Sequence, residues 1–195
     1  IYIVDPKKEY SDLVANLGGR TYNLHEDSHQ LGFKTADVIS YEVGERGQEE
    51  NVDDLVDILR QIYDFASRST DKTLVLIDEA RILLNDPEGR RVLNQFVLEA
   101  RDTNTELTLV TQNASHFTYC REGREILDNV PGKVFMRHDR VPDSVVQYFQ
   151  LSSREVQQLY KLKTGTDASY SEAVLKVSDR TDTTLRIEST AVEHA

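Results

Sequence analysis

The 195-residue sequence contains no tryptophan, one cysteine, one methionine and four prolines. A lone Cys120 cannot close an internal disulfide, so the small stapled scaffolds are excluded and the thiol usage suits a reducing compartment. Long apolar runs are equally missing. The longest aliphatic stretch is Leu74–Ile77, far short of the ~20 residues that span a bilayer, and no charged-then-apolar signal segment opens the chain. Cations are scarce beside acids, 23 Lys+Arg against 34 Asp+Glu, a formal charge of −11. Nucleic-acid affinity rests on Lys and Arg displacing counterions from phosphates, so the free-standing chain is not expected to condense on DNA. The basic residues are 15 Arg to 8 Lys, and with the acidic excess this fits a salt-loving source whose proteins stay soluble through carboxylates. Neither repeats nor low-complexity tracts occur.

What remains is a soluble globular chain of about one domain's length. It opens on Ile1-Tyr2-Ile3-Val4, which already reads as a buried strand, and its only methionine is Met136, so further chain is expected before Ile1. Asp5-Pro6 ends that strand, a helix is expected over 8–17 with Gly18-Gly19 as its stop, and Arg20–Leu24 reads as a short strand. Residues 25–50 are polar, with one strand around Val38–Val43. Asn51 is a candidate cap for a helix whose Val52, Leu55, Leu59, Ile62, Tyr63 and Ala66 recur at three- and four-residue steps.

Thr73–Ile77 is apolar on both faces, as a central parallel strand requires. Asp86-Pro87 begins another helix, with Val92, Leu93, Phe96, Val97 and Ala100 as its buried stripe. Leu107–Val110 and Lys133–Met136 read as two more buried strands. Helices are expected near 121–127, 142–149 and 153–162, and 171–177 with 183–189 as a terminal hairpin turning at 179–182. Strand and helix alternating in this way give an α/β fold built on a mainly parallel sheet with helices on both faces.

In open parallel sheets the reactive groups gather at the carboxyl ends of strands. Those positions hold Asp5, Asp78-Glu79 and Thr111-Gln112. Adjacent carboxylates at a buried strand end are costly without a cation nearby. A magnesium ion carrying nucleotide phosphates would meet that need: Asp78 suits a hard, well-hydrated metal, Glu79 can polarise a water, and Gln112 can sense a γ-phosphate. The plainer alternative is that Asp78-Glu79 caps the next helix, Asp5 is a turn residue and Gln112 a surface amide. His116 and Cys120 stand four apart but lack a third ligand for a metal site. Arg121, Arg124, Arg137 and Arg140 form the best basic cluster, more consistent with solvated helix ends than with a DNA-facing loop.

These segments together resemble the additional-strand RecA-like ATPases of the HerA and FtsK superfamily, most of all the conjugative type IV secretion ATPases of the TraC kind. Ile1–Tyr10 looks like the strand and "D-P-x-x-E-Y" turn that follow the Walker A helix, and Leu74–Ala80 looks like Walker B. Leu98–Arg101 is similar to the helix-ending arginine, Leu109–Gln112 to the Thr-Gln strand, and Phe149–Ser152 with Glu155 to an "F-x-L-S-x-x-E" helix start. The resemblance implies a three-layer RecA-like sheet with a C-terminal β-hairpin, ATP and Mg²⁺ as cofactors, and residues 1–195 as one partial domain, the Walker B half.

It further implies that Asp78 assists the metal, Glu79 activates water, Gln112 senses the γ-phosphate, Arg101 reaches a neighbouring subunit's nucleotide, and Asp5 also serves the site. The implied partners are further copies of the chain in a hexamer, a membrane-associated secretion or conjugation machinery, and DNA through the assembled ring. The implied location is cytoplasmic, at the inner face of the membrane. Walker A, "G-x-x-x-x-G-K-[ST]", is nowhere in the sequence, so the fragment alone is expected to be inactive, and Arg81 stands where the family often has His or Trp. A DNA translocase of the HerA or FtsK type and a non-hydrolysing RecA-like assembly module are the alternatives.

Overall fold

The computed structural model describes residues 1–24, 32–43, 52–177 and 182–188. The chain divides into two compact units, Ile1–Phe117 and Thr118–Ala195. In the first, strands β1 (Tyr2–Asp5), β2 (Arg20–Asn23), β3 (Ile39–Glu42), β4 (Thr73–Ile77) and β5 (Thr105–Leu109) form one sheet in the order β2-β3-β1-β4-β5. Every neighbouring pair is parallel. All five strands therefore end at the same edge, which is where Asp5 and Asp78 emerge.

Alternation along the strands sends Ile3 and Leu76 to one face, where they meet Val14 of helix α1 (Ser11–Asn16) and Val38. Tyr2 and Tyr41 face the other way, and the Tyr2 ring packs edge-on against Phe65 of α2 (Val52–Arg68) at 5.6 Å. Helices thus cover both faces, and the parallel α/β reading is borne out. In α2, Leu55, Leu59, Ile62 and Ala66 are buried as their spacing predicts, and Val56 and Ile58 widen the stripe. Each fully buried Leu or Ile there contributes about 1.5–3 kcal/mol. Across α2, Tyr63 meets Phe96 of α4 (Pro87–Glu99) edge-to-face at 5.4 Å.

Asp86 caps α4 as its sequence indicates, accepting from the Glu88 and Gly89 N–H groups at 2.9 and 2.8 Å, with Pro87 at the first turn. The stop after α1 is also as read: Gly18 takes φ +69°, and a Cβ on Gly19 would lie 2.6 Å from the Val38 carbonyl oxygen. Yet α1 begins at Ser11 rather than Lys8, because residues 5–10 fold into a turn held by the Asp5 side chain. Short helices α3 (Arg81–Asn85) and α5 (Ser115–Thr118) were not anticipated.

Two strands expected to be buried are not. β5 lies at the edge of the sheet, leaving Glu106 and Thr108 exposed and Val110 beyond it 37% exposed. The segment near 133–136 becomes β6 (Gly132–Phe135), which belongs to the second unit and pairs antiparallel with β7 (Ser171–Val177), itself paired with β8 (Asp182–Ile187). An antiparallel sheet can leave one face open, and Val134 is 55% exposed while Phe135 is buried.

The second unit also holds α6 (Arg121–Asn129), α7 (Asp143–Tyr148) and α8 (Ser153–Lys161), with Phe135 packing edge-to-face on Phe149 at 5.0 Å. The terminal hairpin is present, its turn at 178–181 lying outside the described residues, as does the expected cap Asn51. Among the described residues no helix is long and apolar enough to cross a membrane.

Candidate functional site: a carboxylate cluster at the sheet edge

Register places the site. Val4 lies opposite Ile77 and Ile77 opposite Leu109, so Asp5, Asp78 and the segment leading to Gln112 leave the sheet side by side. Asp5 also lies opposite Glu42. Four carboxylates at this edge are buried: Asp5 at 0%, Glu79 at 4%, Glu42 at 6% and Asp78 at 7% exposure. Burying that much like charge demands compensation, and each carboxylate has its own form of it.

Asp5 is satisfied by its own turn. Its two oxygens accept the Glu9 and Tyr10 N–H groups at 3.1 and 2.9 Å, which fixes the D-P-x-x-E-Y segment. Glu42, which sequence reasoning did not single out, accepts from the Ser11 hydroxyl. Nothing in the chain marks it beyond its place at a strand end. Tyr10, facing Asp78, Asp5 and Glu9 from a half-buried position, has its phenol pushed up to about 12, by burial first and by those acids next.

Asp78 does not cap the following helix. The residue before α3 is Ala80, with no side-chain cap, and Asp78 Oδ1 instead accepts its neighbour's Glu79 N–H at 2.8 Å. That is the one hydrogen bond to this carboxylate among the described residues, and Oδ2 has no hydrogen-bond partner among them. Burial, then the nearby charges of Glu79, Glu9 and Asp5, push the Asp78 carboxyl above its usual range. A cation at Oδ2 would relieve that unfavourable field.

Glu79 is held differently. Its backbone sits at φ +47°, a left-handed conformation that costs a non-glycine residue about 1–2 kcal/mol and persists only where surroundings enforce it. Its Oε1 accepts from Lys7 Nζ and from Gln112 Nε2, the latter at 2.5 Å, and Oε2 from Arg81 Nε at 2.9 Å. Burial pushes the carboxyl up, but the bonds from Lys7, Arg81 and Gln112 outweigh it and hold it below the ordinary glutamate range. Lys7 is correspondingly raised by its bond to Glu79.

The structure therefore brings Asp5, Asp78, Glu79 and Gln112 to one edge, with Glu79 and Gln112 in direct contact. It does not bring Arg101 there. Arg101 is exposed in the turn between α4 and β5, at the opposite edge of the sheet, a strand length of ~17 Å away at ~3.3 Å per residue.

Sequence reasoning missed Lys7 and left Arg81 without a role; the only signal was their closeness to Asp5 and Glu79 in the chain. His116 sits beside the cluster, its Nδ1 2.7 Å from Thr111 Oγ1, and burial together with the Arg81 charge lowers its pKa. Cys120 caps α6, its sulfur accepting from Gly123 N–H at 3.3 Å, and no group of three ligating residues gathers among the described residues.

The model of the AAA-like domain matches residues 48–167, more than half of the chain and the stretch that carries Asp78, Glu79, Arg101 and Gln112. The chain belongs to this AAA-like domain family. Among solved structures it is similar to VirB4 of Thermoanaerobacter pseudethanolicus, with a TM-score of 0.67 and 19% identity over 84% of this chain. That likeness shows the fold, a RecA-like α/β arrangement. The chain spans 44% of the VirB4 chain, less than half its length. No curated protein matches.

Of the cationic side chains noted in the sequence, three already have protein partners in the AAA-like chain. Arg121 pairs with Glu125 at 2.7 Å, Arg124 Nη1 donates to the Thr118 carbonyl at 2.7 Å, and Arg137 pairs with Asp167. Arg121 and Arg124 lie in the first turn of α6, as the helix-end reading has it, whereas Arg137 lies in the loop after β6.

Proposed function

We propose that this AAA-like chain is the Walker B half of an ATP-hydrolysing motor that powers conjugative or type IV secretion-like transfer of DNA or protein. The observation that carries the reading is the convergence of Asp78, Glu79 and Gln112 on one edge of a parallel sheet, with Glu79 bonded to Gln112.

Asp78, whose Oδ2 has no hydrogen-bond partner among the described residues and whose carboxyl is pushed above its usual range, fits one carboxylate anchor of a magnesium ion that takes its other ligands from water and phosphate. Such a metal would supply charge neutralisation at the triphosphate. Glu79 is anionic and rigidly held, and would orient the attacking water and accept its proton at a carboxylate oxygen. Gln112 touches the same carboxylate, so a change at the γ-phosphate would be passed through Glu79 to β5. Asp5 serves the site by fixing the turn that carries Lys7. Arg101 lies too far from the carboxylates of its own chain and would act on a neighbour's nucleotide in a ring, at a membrane-bound machinery on the cytoplasmic side.

The phosphate cradle, absent from these 195 residues, would come from elsewhere in the protein. Glu79→Gln in the full-length protein is expected to abolish ATP turnover while leaving ATP binding intact, measured by phosphate release and by nucleotide titration. Ordinary hydrolysis by that variant would end the assignment.

A further inference from the structure

The turn after β1 is more tightly specified than a connection needs to be. The Asp5 side chain closes it on the Glu9 and Tyr10 N–H groups, the Lys8 N–H points back at the Asp5 carbonyl at 3.5 Å, and Lys8 adopts φ +57°. This geometry projects Lys7, 72 residues earlier in the chain, onto Glu79. Glu79 has almost no exposed side-chain surface, 5%, whereas Lys7 keeps 30%. The lysine thus reaches in from the rim to a carboxylate that already sits on a strained backbone.

Both oxygens of that carboxylate are gripped, Oε2 by Arg81 and Oε1 by Lys7 and Gln112 together. Arg81 is only two residues from Glu79 and moves with it. Lys7, by contrast, is anchored in the turn after β1, so it ties the Glu79 side chain to the end of that strand and sets where Oε1 lies relative to Gln112.

We propose that Lys7 is a positioning residue for Glu79, holding the carboxylate at the orientation from which it contacts Gln112. The inference rests on the ATPase reading above. It gives Lys7 no contact with nucleotide, and it explains why the Asp5 turn is built rigidly.

The test uses the full-length protein with Lys7→Met and Lys7→Arg. A misplaced catalytic group loses rate rather than substrate affinity, and displacement by ~1 Å can cost ~10²-fold. Lys7→Met is therefore expected to lower kcat by about 10- to 100-fold, with the affinity for a non-hydrolysable ATP analogue changed by less than about threefold. Lys7→Arg, which keeps the cation and the reach, is expected to recover most of kcat.

A second readout needs no nucleotide: urea midpoints of Lys7→Met, Glu79→Gln and the double variant should be non-additive, as for residues in contact. Unchanged kcat in Lys7→Met, analogue affinity falling in step with kcat, or additive midpoints would each overturn the proposal. Normal turnover by Glu79→Gln would instead sink the ATPase reading beneath it. The stability cycle separates the two failures, since it reports the Lys7–Glu79 contact whatever the protein hydrolyses.

Discussion

At the scale of single residues, four buried carboxylates at one sheet edge behave in four ways, and partners decide which. Glu79 is surrounded by donors, Glu42 has a serine hydroxyl, Asp78 has one backbone N–H and a second oxygen with no hydrogen-bond partner among the described residues, and Asp5 is consumed by its own turn. Asp5→Ala tests the last of these. It would leave the Glu9 and Tyr10 N–H groups without their carboxylate acceptor in a part-buried turn, at a cost of about 0.5–1.5 kcal/mol for each hydrogen bond lost. Chemical denaturation should show a loss of that size. A change within about 0.5 kcal/mol, the range of ordinary surface substitutions, would mean that the turn stands without the carboxylate. Asp5, Asp78 and Glu79 could be found in the sequence because the ends of their strands can be found there, whereas Glu42 at the end of β3 was passed over. The cations that meet them could not, since the Lys7–Glu79 pair depends on which strands lie side by side, and no local pattern encodes that.

At the scale of elements, legibility followed the strength of local chemistry. The helices with capping chemistry written into them emerged where expected: α4 behind Asp86-Pro87, and α8 behind Ser152, whose hydroxyl accepts from Glu155 N–H at 3.3 Å while Glu155 Oε2 accepts from Ser152 N–H at 2.6 Å. That reciprocal pair is the feature seen in the sequence as a Ser followed three residues later by Glu. Ser152→Ala should therefore destabilise the protein by about 1 kcal/mol, read from the denaturation midpoint, with Ser152→Gly costing less. Equal losses for the two would point to backbone entropy rather than to the cap. Strand burial was less legible. Leu107–Val110 and Lys133–Met136 have similar apolar content to Thr73–Ile77, yet one became an edge strand and the other joined an antiparallel sheet, because strand order is set by long-range pairing and not by composition. Helices α3 and α5, at five and four residues, are too short to leave a periodic trace.

At the scale of the whole molecule, the proposed role of Arg101 turns on whether one chain or two make one site. Parallel strands put the carboxylates at one edge of the sheet and the α4–β5 turn at the other, so on the proposed reading one copy would not supply both to the same nucleotide. If Arg101 stabilises a transferring phosphoryl group, it does so from a neighbour, an effect of ~10³–10⁵ in rate for such residues. The full-length Arg101→Ala and Glu79→Gln proteins should then both be inactive alone, each for want of a different half. In a head-to-tail ring, random co-assembly leaves about one site in four with an intact Glu79 from one subunit facing an intact Arg101 from the next. Mixing the two inactive proteins at equal amounts, under conditions that allow subunits to exchange, should therefore restore a measurable fraction of wild-type phosphate release. A mixture as inactive as its components would remove Arg101 from the neighbour's site. An Arg101→Ala protein that hydrolyses ATP normally would remove it from catalysis altogether, leaving a cation that merely ends a helix.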